Sequence, residues 1–571
     1  MQLTRTWQFA EPDEAQVARF ASTAELPPPV ARVLVNRGVT EEDLLSFLDP
    51  KLDRLSDPFL MPGMEDAVDR IWIAIDGGES ILIYGDYDVD GVTSTALMLN
   101  VLRDLGAEKL DHFIPHRIDD GYGLTPETMQ AVHEQAHPGL VITVDCGTGS
   151  VEAVELGEEL GIDVIVTDHH ETSAGVAPAL AVVNPKLGEA EDLHILAGVG
   201  VAFKLCHALI KAGREDGRKV ATSIDLRKYM YLVSMGTIAD MVPLVKENRI
   251  LARYGLDAMN RKTPIGLQAL SKVAAITDAI SSYHIGFLIG PRINAAGRMS
   301  ESDRALECLM ETQLDHAMEI AGELDAANKE RQQTEQEIVE AALQEIETYF
   351  DPATTFAIVA GQPGWHPGVV GIVASRIVQQ YHRPAVIIGV DENGKGKGSC
   401  RSISGFDLVA GLGEADDLLN KYGGHKMAAG LEIDVANIPA FRERLNEVAK
   451  KAFAGVPPNP VLKIDSWLDT GDMTFQMVDA IERLMPFGLG NATPVWACQD
   501  VVVERKREVG KGHLKLALFK DGQMFEAIGF NMFDREIPDR IDIVFQLKRN
   551  VYKGLQNLEL VLQDLRPCAG D

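Results

Sequence analysis

The sequence predicts an α/β protein of two lobes joined by a long helix and followed by a small β-barrel. Three observations lead there. From about residue 71, short β-branched runs alternate with amphipathic helical stretches, the pattern of a parallel sheet with crossover helices. Residues 312–350 are rich in strong helix formers and contain no proline, which predicts one long helix. Beyond a proline-rich linker at 452–460, short alternating runs recur at strand length and spacing, which favours a barrel.

Taken in order, residues 1–70 hold apolar and proline-rich pieces (AELPPPVARVLVNRG, DPFLMPGM) and are expected to pack on the lobe that follows. Residues 71–270 form that lobe, with strands SILIYGD, LVITVDCG, IDVIVTDHH and LAVVNP and helices VTSTALMLNVLRDLGA and SVEAVELGEELG between them. Residues 271–350 are the helical connector. The second lobe, 351–455, begins with the strand TTFAIVAG, then the helix GVVGIVASRIVQQYH and the strand PAVIIGV. Residues 460–571 supply the barrel through DVVVERKREV, HLKLALFKD, MFEAIGFNM, IDIVFQLKRN and LELVLQDL.

A chain of 571 residues exceeds one hydrophobic core, and 46% hydrophobic with 24% charged residues excludes a disordered or fibrous protein. The apolar runs are strand-sized, below the roughly 20 residues of a spanning helix, and the N-terminus lacks the basic and apolar blocks of a secretory signal. A cytoplasmic monomer without membrane association is the expectation. The six cysteines form no C-x-x-C pair, so neither a zinc ribbon nor a disulfide framework is indicated. The net charge of −31 opposes a general affinity for nucleic acid, so any basic footprint must be local. Residues 503–520, with six Lys or Arg against two Glu, are the candidate footprint, and a solvated strand face is the alternative.

Four acidic clusters lie just past expected strands, where open parallel sheets hold ligands: GDYDVDG at 85–91, VDCG at 144–147, TDHH at 167–170 and GTIADMVP at 236–243. Asp86, Asp88 and Asp90 crowd one loop tip, and carboxylates that close call for a cation. Taken alone, that motif also fits an exposed turn or a calcium loop. Asp168, His169 and His170 add imidazole nitrogen, and mixed Asp/His ligation without cysteine suits Mn²⁺ or Mg²⁺. One histidine can coordinate while its neighbour faces substrate. Together the clusters suit two divalent ions sharing a carboxylate, the arrangement that drives in-line phosphoryl displacement.

In this order the four motifs resemble those of the DHH phosphoesterase superfamily, and FIPHRIDDGYG, LAGVGVAFKL, GPRINAAGRM, GWHPGVVGIVASR, GKGSCRSISGFDL and YGGHKMAAG are similar to its RecJ-like branch. The resemblance implies Asp88, Asp90, Asp145, His169 and Asp240 as ligands of two metal ions, Mn²⁺ or Mg²⁺, with Asp145 as the bridge. Asp86 and Asp168 support those ligands or join them occasionally, and His170 sits near the scissile phosphate. Tyr84 stands where many superfamily members carry a histidine ligand, a departure that RecJ-like members share. In the second lobe, glycine-rich loops are expected to present Ser399 and Arg401 to a terminal 5′-phosphate, with Arg117 and His425 as further candidates and Arg298 touching the strand. The barrel is expected to be of OB type, gripping single strands through Arg505, Lys506, Arg507, Lys511 and Lys515.

The implied activity is 5′→3′ hydrolysis of single-stranded DNA to 5′-mononucleotides in recombination and repair, alongside a single-strand-binding protein and a helicase. Two other readings remain open on these grounds. One is a phosphodiesterase for oligoribonucleotides or cyclic dinucleotides, against which the extra barrel counts. The other is a non-catalytic replication scaffold, against which the complete set of implied ligands counts.

Overall fold

The first lobe is built on a five-stranded parallel sheet in the order Lys109–Phe113, Ser80–Gly85, Leu140–Val144, Asp163–Thr167, Ala181–Val183. The computed structural model describes residues 5–116, 123–171, 175–299, 303–552 and 554–568, with Arg298, Met299 and Tyr552 described by their backbone alone. Side chains alternate between faces along each strand. Ile81, Ile83, Ile142 and Ile165 therefore enter one core layer, while Leu82, Tyr84, Val141 and Val164 enter the other. Burial on both faces explains the near-continuous apolar runs. The strand Lys109–Phe113 escapes the periodicity reading because KLDHF carries two charges, which an edge strand tolerates.

The connector contains the helix Leu314–Glu347, 34 residues long. At 1.5 Å per residue it extends roughly 51 Å. Its first turns bury Ala317, Ile320 and Leu324 in the first lobe, and its last bury Ile338, Ala342 and Ile346 in the second. The second lobe carries a mixed sheet ordered Leu419–Gly424, Ala428–Asp434, Lys395–Arg401, Ala385–Val390, Ile358–Pro363.

Here the structure corrects one expectation. GKGSCRS and much of YGGHKMAAG are strands, not loops. The glycines serve packing: a Cβ on Gly396 would lie 2.7 Å from Ile388 Cγ2, and one on Gly398 would lie 2.8 Å from Leu431 Cδ1.

In the C-terminal region the strands Trp496–Val509, His513–Lys520, Gln523–Gly529, Leu555–Pro567 and Arg540–Tyr552 pair in that order, and the last pairs back with the first. That closure makes a five-stranded barrel. Residues 6–48 belong with it, which corrects the expectation that 1–70 rests on the catalytic lobe. Thr6–Phe9 pairs in parallel with Val461–Ile464. Val17, Phe20, Val30 and Leu34, from the helices Glu14–Ala24 and Pro28–Asn36, share a core with Trp496 and Phe545. Only the later part follows the expectation, with Met61 and Met64 in the first-lobe core. Helical periodicity shows that a face is buried but not what covers it. Among the described residues, no helix is long and apolar enough to cross a membrane.

Candidate metal centre and substrate site

The carboxyl ends of three neighbouring strands deliver most of the acidic cluster to one place. Asp86 follows Ser80–Gly85, Asp145 follows Leu140–Val144, and Asp168 to His170 follow Asp163–Thr167. Asp88 is the N-cap of the helix Val89–Asp104 and accepts from the amides of Asp90 and Gly91 at 2.8 and 3.1 Å. Asp240 corrects the expectation of a fourth strand end: it caps the C-terminal end of the helix Met230–Ala239. Asp145 adopts φ +63°, a strained value for a non-glycine residue.

Ligand atoms fall into three overlapping groups, each within 4.8 Å: Asp86, Asp88 and Asp145; Asp90, His169 and Asp240; Asp145, His169 and His170. Asp145 belongs to two of them. His169 Nε2 lies 3.1 Å from Asp145 Oδ1, 3.7 Å from Asp240 Oδ2 and 4.0 Å from Asp90 Oδ2. Asp145 Oδ1 and His169 Nε2 are buried, yet neither makes a hydrogen bond among the described residues. A buried acceptor left in that state is costly, and a shared divalent cation resolves it. The donor set of carboxylates and imidazole without thiolate fits Mn²⁺ or Mg²⁺.

The two histidines are held for different tasks. Asp168 accepts from the backbone amides of Thr148, His169 and His170 and contacts His170 Nδ1 at 2.8 Å, so its carboxylate is spent on positioning. Burial would raise its pKa, but the bond and charge of His170 and the donors of Thr148 prevail and hold it at about 2. His170, 41% exposed, turns its other nitrogen away from Asp168. Burial opposes its charge, but the hydrogen bond and charge of Asp168, then Asp240 and Asp86, raise its pKa and favour imidazolium. His169 is the reverse case: burial and the neighbouring His170 push its pKa down to about 3, leaving the neutral imidazole that coordinates.

The remaining carboxylates are poised for a cation. Burial, then the charges of Asp240 and Asp88, raise the Asp90 pKa, although the amides of Gly198 and Val199 donate to it at 2.6 and 2.9 Å. Burial and the surrounding aspartates raise Asp145, and burial with Asp88 pushes Asp240 up to about 7. The metal-free fold therefore holds protons that the unfolded chain releases near pH 4. Its stability from these groups is complete below that value and is lost as pH rises through about 7. Cation binding must displace those protons, so affinity rises with pH. We expect the increase in melting temperature caused by a fixed Mn²⁺ concentration to be larger at about pH 8 than at about pH 6. Calorimetric scans at the two pH values check this, and an equal increase would contradict it.

In the second lobe, Ser399 and Arg401 come together on the strand Lys395–Arg401, with Arg401 Nη1 donating to Ser399 Oγ at 3.1 Å. They face the first turn of the helix Val370–Tyr381: a Cβ on Gly371 would lie 2.9 Å from Ser399 Oγ and 3.3 Å from Arg401 Nη2. Helix N-terminal amides, a hydroxyl and a guanidinium are all groups that can donate to an anion. His425 is exposed in the turn between Leu419–Gly424 and Ala428–Asp434, and Ala428 pairs with Arg401. Arg117 lies outside the described residues. For Arg298 only the backbone is described, within the helix Gly290–Met299.

Comparison with known proteins identifies the domains that carry these residues. Residues 80–237 match the DHH family N-terminal domain, 353–451 the DHHA1 domain and 464–564 the RecJ OB domain. The single-stranded-DNA-specific exonuclease RecJ of Bacillus subtilis (strain 168) is 38% identical over 569 residues, covering 98% of this chain and 70% of that protein. The chain belongs to the RecJ family. A crystal structure of RecJ from Thermus thermophilus in complex with Mn²⁺ superposes with a TM-score of 0.83 at 32% identity, covering 98% of this chain and 79% of the other. The same organism's RecJ in complex with Mg²⁺ gives 0.78 at 31% identity, covering 98% and 78%.

Within this RecJ-family fold, several supporting residues escaped the motif reading. Asn184 Nδ2 donates to Thr148 Oγ1 and to the carbonyl of His170, locking the loop that carries the histidines. Asn294 Oδ1 accepts from the Val89 amide beside Asp88. Gly198 and Gly236 admit the carboxylates, since a Cβ would lie 2.4 Å from Asp145 Oδ1 and 2.5 Å from Asp90 Oδ1 respectively. All four sit in or beside quoted motifs, yet only contact geometry reveals what each does. Tyr84 lies in the opposite core layer and donates to the Gly123 carbonyl at 3.0 Å.

On the barrel the expected cations divide. Lys515 lies 2.7 Å from Glu559 and 3.6 Å from Glu526, and Arg505 lies 3.8 Å from Glu526. Lys506 donates to the Arg535 carbonyl at 3.0 Å and rests over the Phe533 ring. Arg507 and Lys511 are exposed.

Proposed function

We propose that this chain is a metal-dependent exonuclease specific for single-stranded DNA, removing 5′-mononucleotides from the 5′ end in recombination and repair. The observation that carries the reading is the shared Asp145 carboxylate, with buried, unbonded Oδ1 beside His169 Nε2, in a chain that matches RecJ along nearly its full length. When bound, two divalent cations supply an activated water and neutralise charge on the phosphate. Asp86, Asp88, Asp90, Asp145, His169 and Asp240 would hold them. Asp168 holds His170 with its other nitrogen toward the reacting phosphate, where imidazolium donates to a non-bridging or leaving oxygen. Ser399 and Arg401 hold the strand's terminal phosphate, with His425, Arg117 and Arg298 as further contacts.

His170→Ala is therefore expected to slow hydrolysis about a hundredfold or more while Mn²⁺ binding by titration calorimetry stays near wild type. Loss of both would make His170 a ligand instead. On the barrel, Arg507 and Lys511 are the proposed backbone contacts, with Arg505, Lys506 and Lys515 drawn partly to protein acceptors. Arg507→Gln with Lys511→Gln should weaken binding to long strands and flatten the slope of log affinity against log salt by about 1.4. An unchanged slope removes them from the path.

A single-strand-binding protein and a helicase are the partners this reading proposes, because the site needs an exposed strand. The cytoplasm is the proposed compartment, in keeping with six free cysteines, five of them buried. Linear and circular single strands digested with Mn²⁺ test the reading: the linear form should disappear and the circle persist. Equal digestion would replace an exonuclease with an endonuclease.

A further inference from the structure

The long helix Leu314–Glu347 buries polar residues where a packing helix normally buries apolar ones. Between its two apolar ends, Asp325, Asn328, Arg331 and Glu335 recur at helical spacing on one inward stripe, with Asn328 and Glu335 each 1% exposed. These groups pair with Arg292, Lys329 and Arg376 and among themselves. Buried ion pairs are often no more stabilising than apolar packing, and their best-attested use is to select one register.

Each end of the stripe grips a helix that carries part of the site. Toward the first lobe, Asp325 accepts from Arg292 Nε at 3.0 Å. Arg292 lies on the helix Gly290–Met299, whose Asn294 holds the Val89 amide beside the Asp88 and Asp90 ligands. In the middle, Arg331 donates to Asn328 Oδ1 at 3.1 Å and to Glu335 Oε2 at 2.7 Å. Toward the second lobe, Glu335 pairs with Arg376. Arg376 lies on the helix Val370–Tyr381, five residues past Gly371, the glycine that faces Ser399 and Arg401. Helical rise puts Asp325 and Glu335 roughly 15 Å apart, and Arg376 roughly 7.5 Å below the phosphate site. A single polar strut, rigid because it is helical, thus runs from the metal loop to the terminal-phosphate site.

We propose that this strut sets product length: Asp325, Glu335 and Arg376 are positioning residues that hold the terminal-phosphate site one nucleotide from the metal loop. The proposal rests on the terminal-phosphate reading above. Apolar contacts at both ends keep the lobes attached but permit sliding, whereas charged pairs in helices admit one register. Weakening the strut lets the second lobe shift, so the second or third internucleotide bond also reaches the metal loop.

The test uses the full chain with Mn²⁺ and single strands bearing a radiolabelled 5′-phosphate, with products separated by length. Wild type should release label as mononucleotide. Glu335→Gln, Asp325→Asn and Arg376→Gln should each raise the combined share of labelled di- and trinucleotide at least about tenfold, with Mn²⁺ affinity unchanged, and Glu335→Asp, which keeps the charge, should restore most mononucleotide. Should Glu335→Gln fail to fold, the half-exposed Arg376→Gln gives the same reading. Variants that run more slowly but still release only mononucleotide overturn the strut. Wild type that itself releases longer products, or attacks the 3′ end, would instead remove the terminal-phosphate reading.

Discussion

Asp145→Ala is expected to abolish hydrolysis while leaving single-strand affinity within about threefold. Asp145 Oδ1 lies 3.1 Å from His169 Nε2, and the carboxylate also belongs to the Asp86 and Asp88 group, so it joins the aspartate loop to the histidines. Losing several kcal/mol of charge stabilisation at the phosphate corresponds to about a thousandfold or more in rate. Strand binding survives because the second lobe and barrel lie on other elements. One further feature predicts that the substitution is tolerated structurally, although alanine gains nothing at φ +63°: the buried carboxylate without a cation is held above its ordinary pKa by burial and neighbouring aspartates. Removing it relieves like-charge crowding, so the metal-free variant should melt no lower than metal-free wild type. Turnover near wild type, measured by release of acid-soluble nucleotide, would remove Asp145 from the metal centre.

Arg401→Ala should lower kcat/KM on 5′-phosphorylated strands by at least about tenfold, with far less loss on strands ending in a 5′-hydroxyl. A charge-assisted contact to phosphate is worth roughly 1.5–3 kcal/mol, and only the phosphorylated end makes it. The guanidinium is already oriented, bonded to Ser399 Oγ and to the Cys400 carbonyl at 3.1 and 2.9 Å, so little order is lost on binding. The ratio between the two substrates isolates the pocket from general effects on folding or metal. Equal losses on both ends would reject the terminal-phosphate site even if the chain remained a metal-dependent nuclease.

The metal cluster was legible because it lies at strand ends, where periodicity stops and carboxylates stand out. Asp86, Asp145 and Asp168 each follow an apolar run directly, and Asp88 doubles as a helix cap, a role its position before Val89 announces. What stayed hidden depends on contacts between distant segments. The residues 6–48 show amphipathic spacing, yet nothing in that spacing distinguishes the barrel from the first lobe as its cover. Gly396 and Gly398 read as loop residues because a missing side chain looks alike whether it frees a turn or admits Ile388 and Leu431. Lys515 reads as a nucleic-acid contact until Glu526 and Glu559, from two other strands, are seen beside it. Glu335 and Asp325 lie in a stretch whose composition gives only a long helix, and only the packing of both lobes shows that they face inward.

Digestion of one single strand labelled at either end tests the central claim most directly. With Mn²⁺, the 5′-labelled strand should yield labelled mononucleotide from the first time points while the 3′-labelled strand shortens stepwise, and a chelator should stop both. Mononucleotide appearing first from the 3′-labelled end, or digestion that persists in chelator, would contradict it.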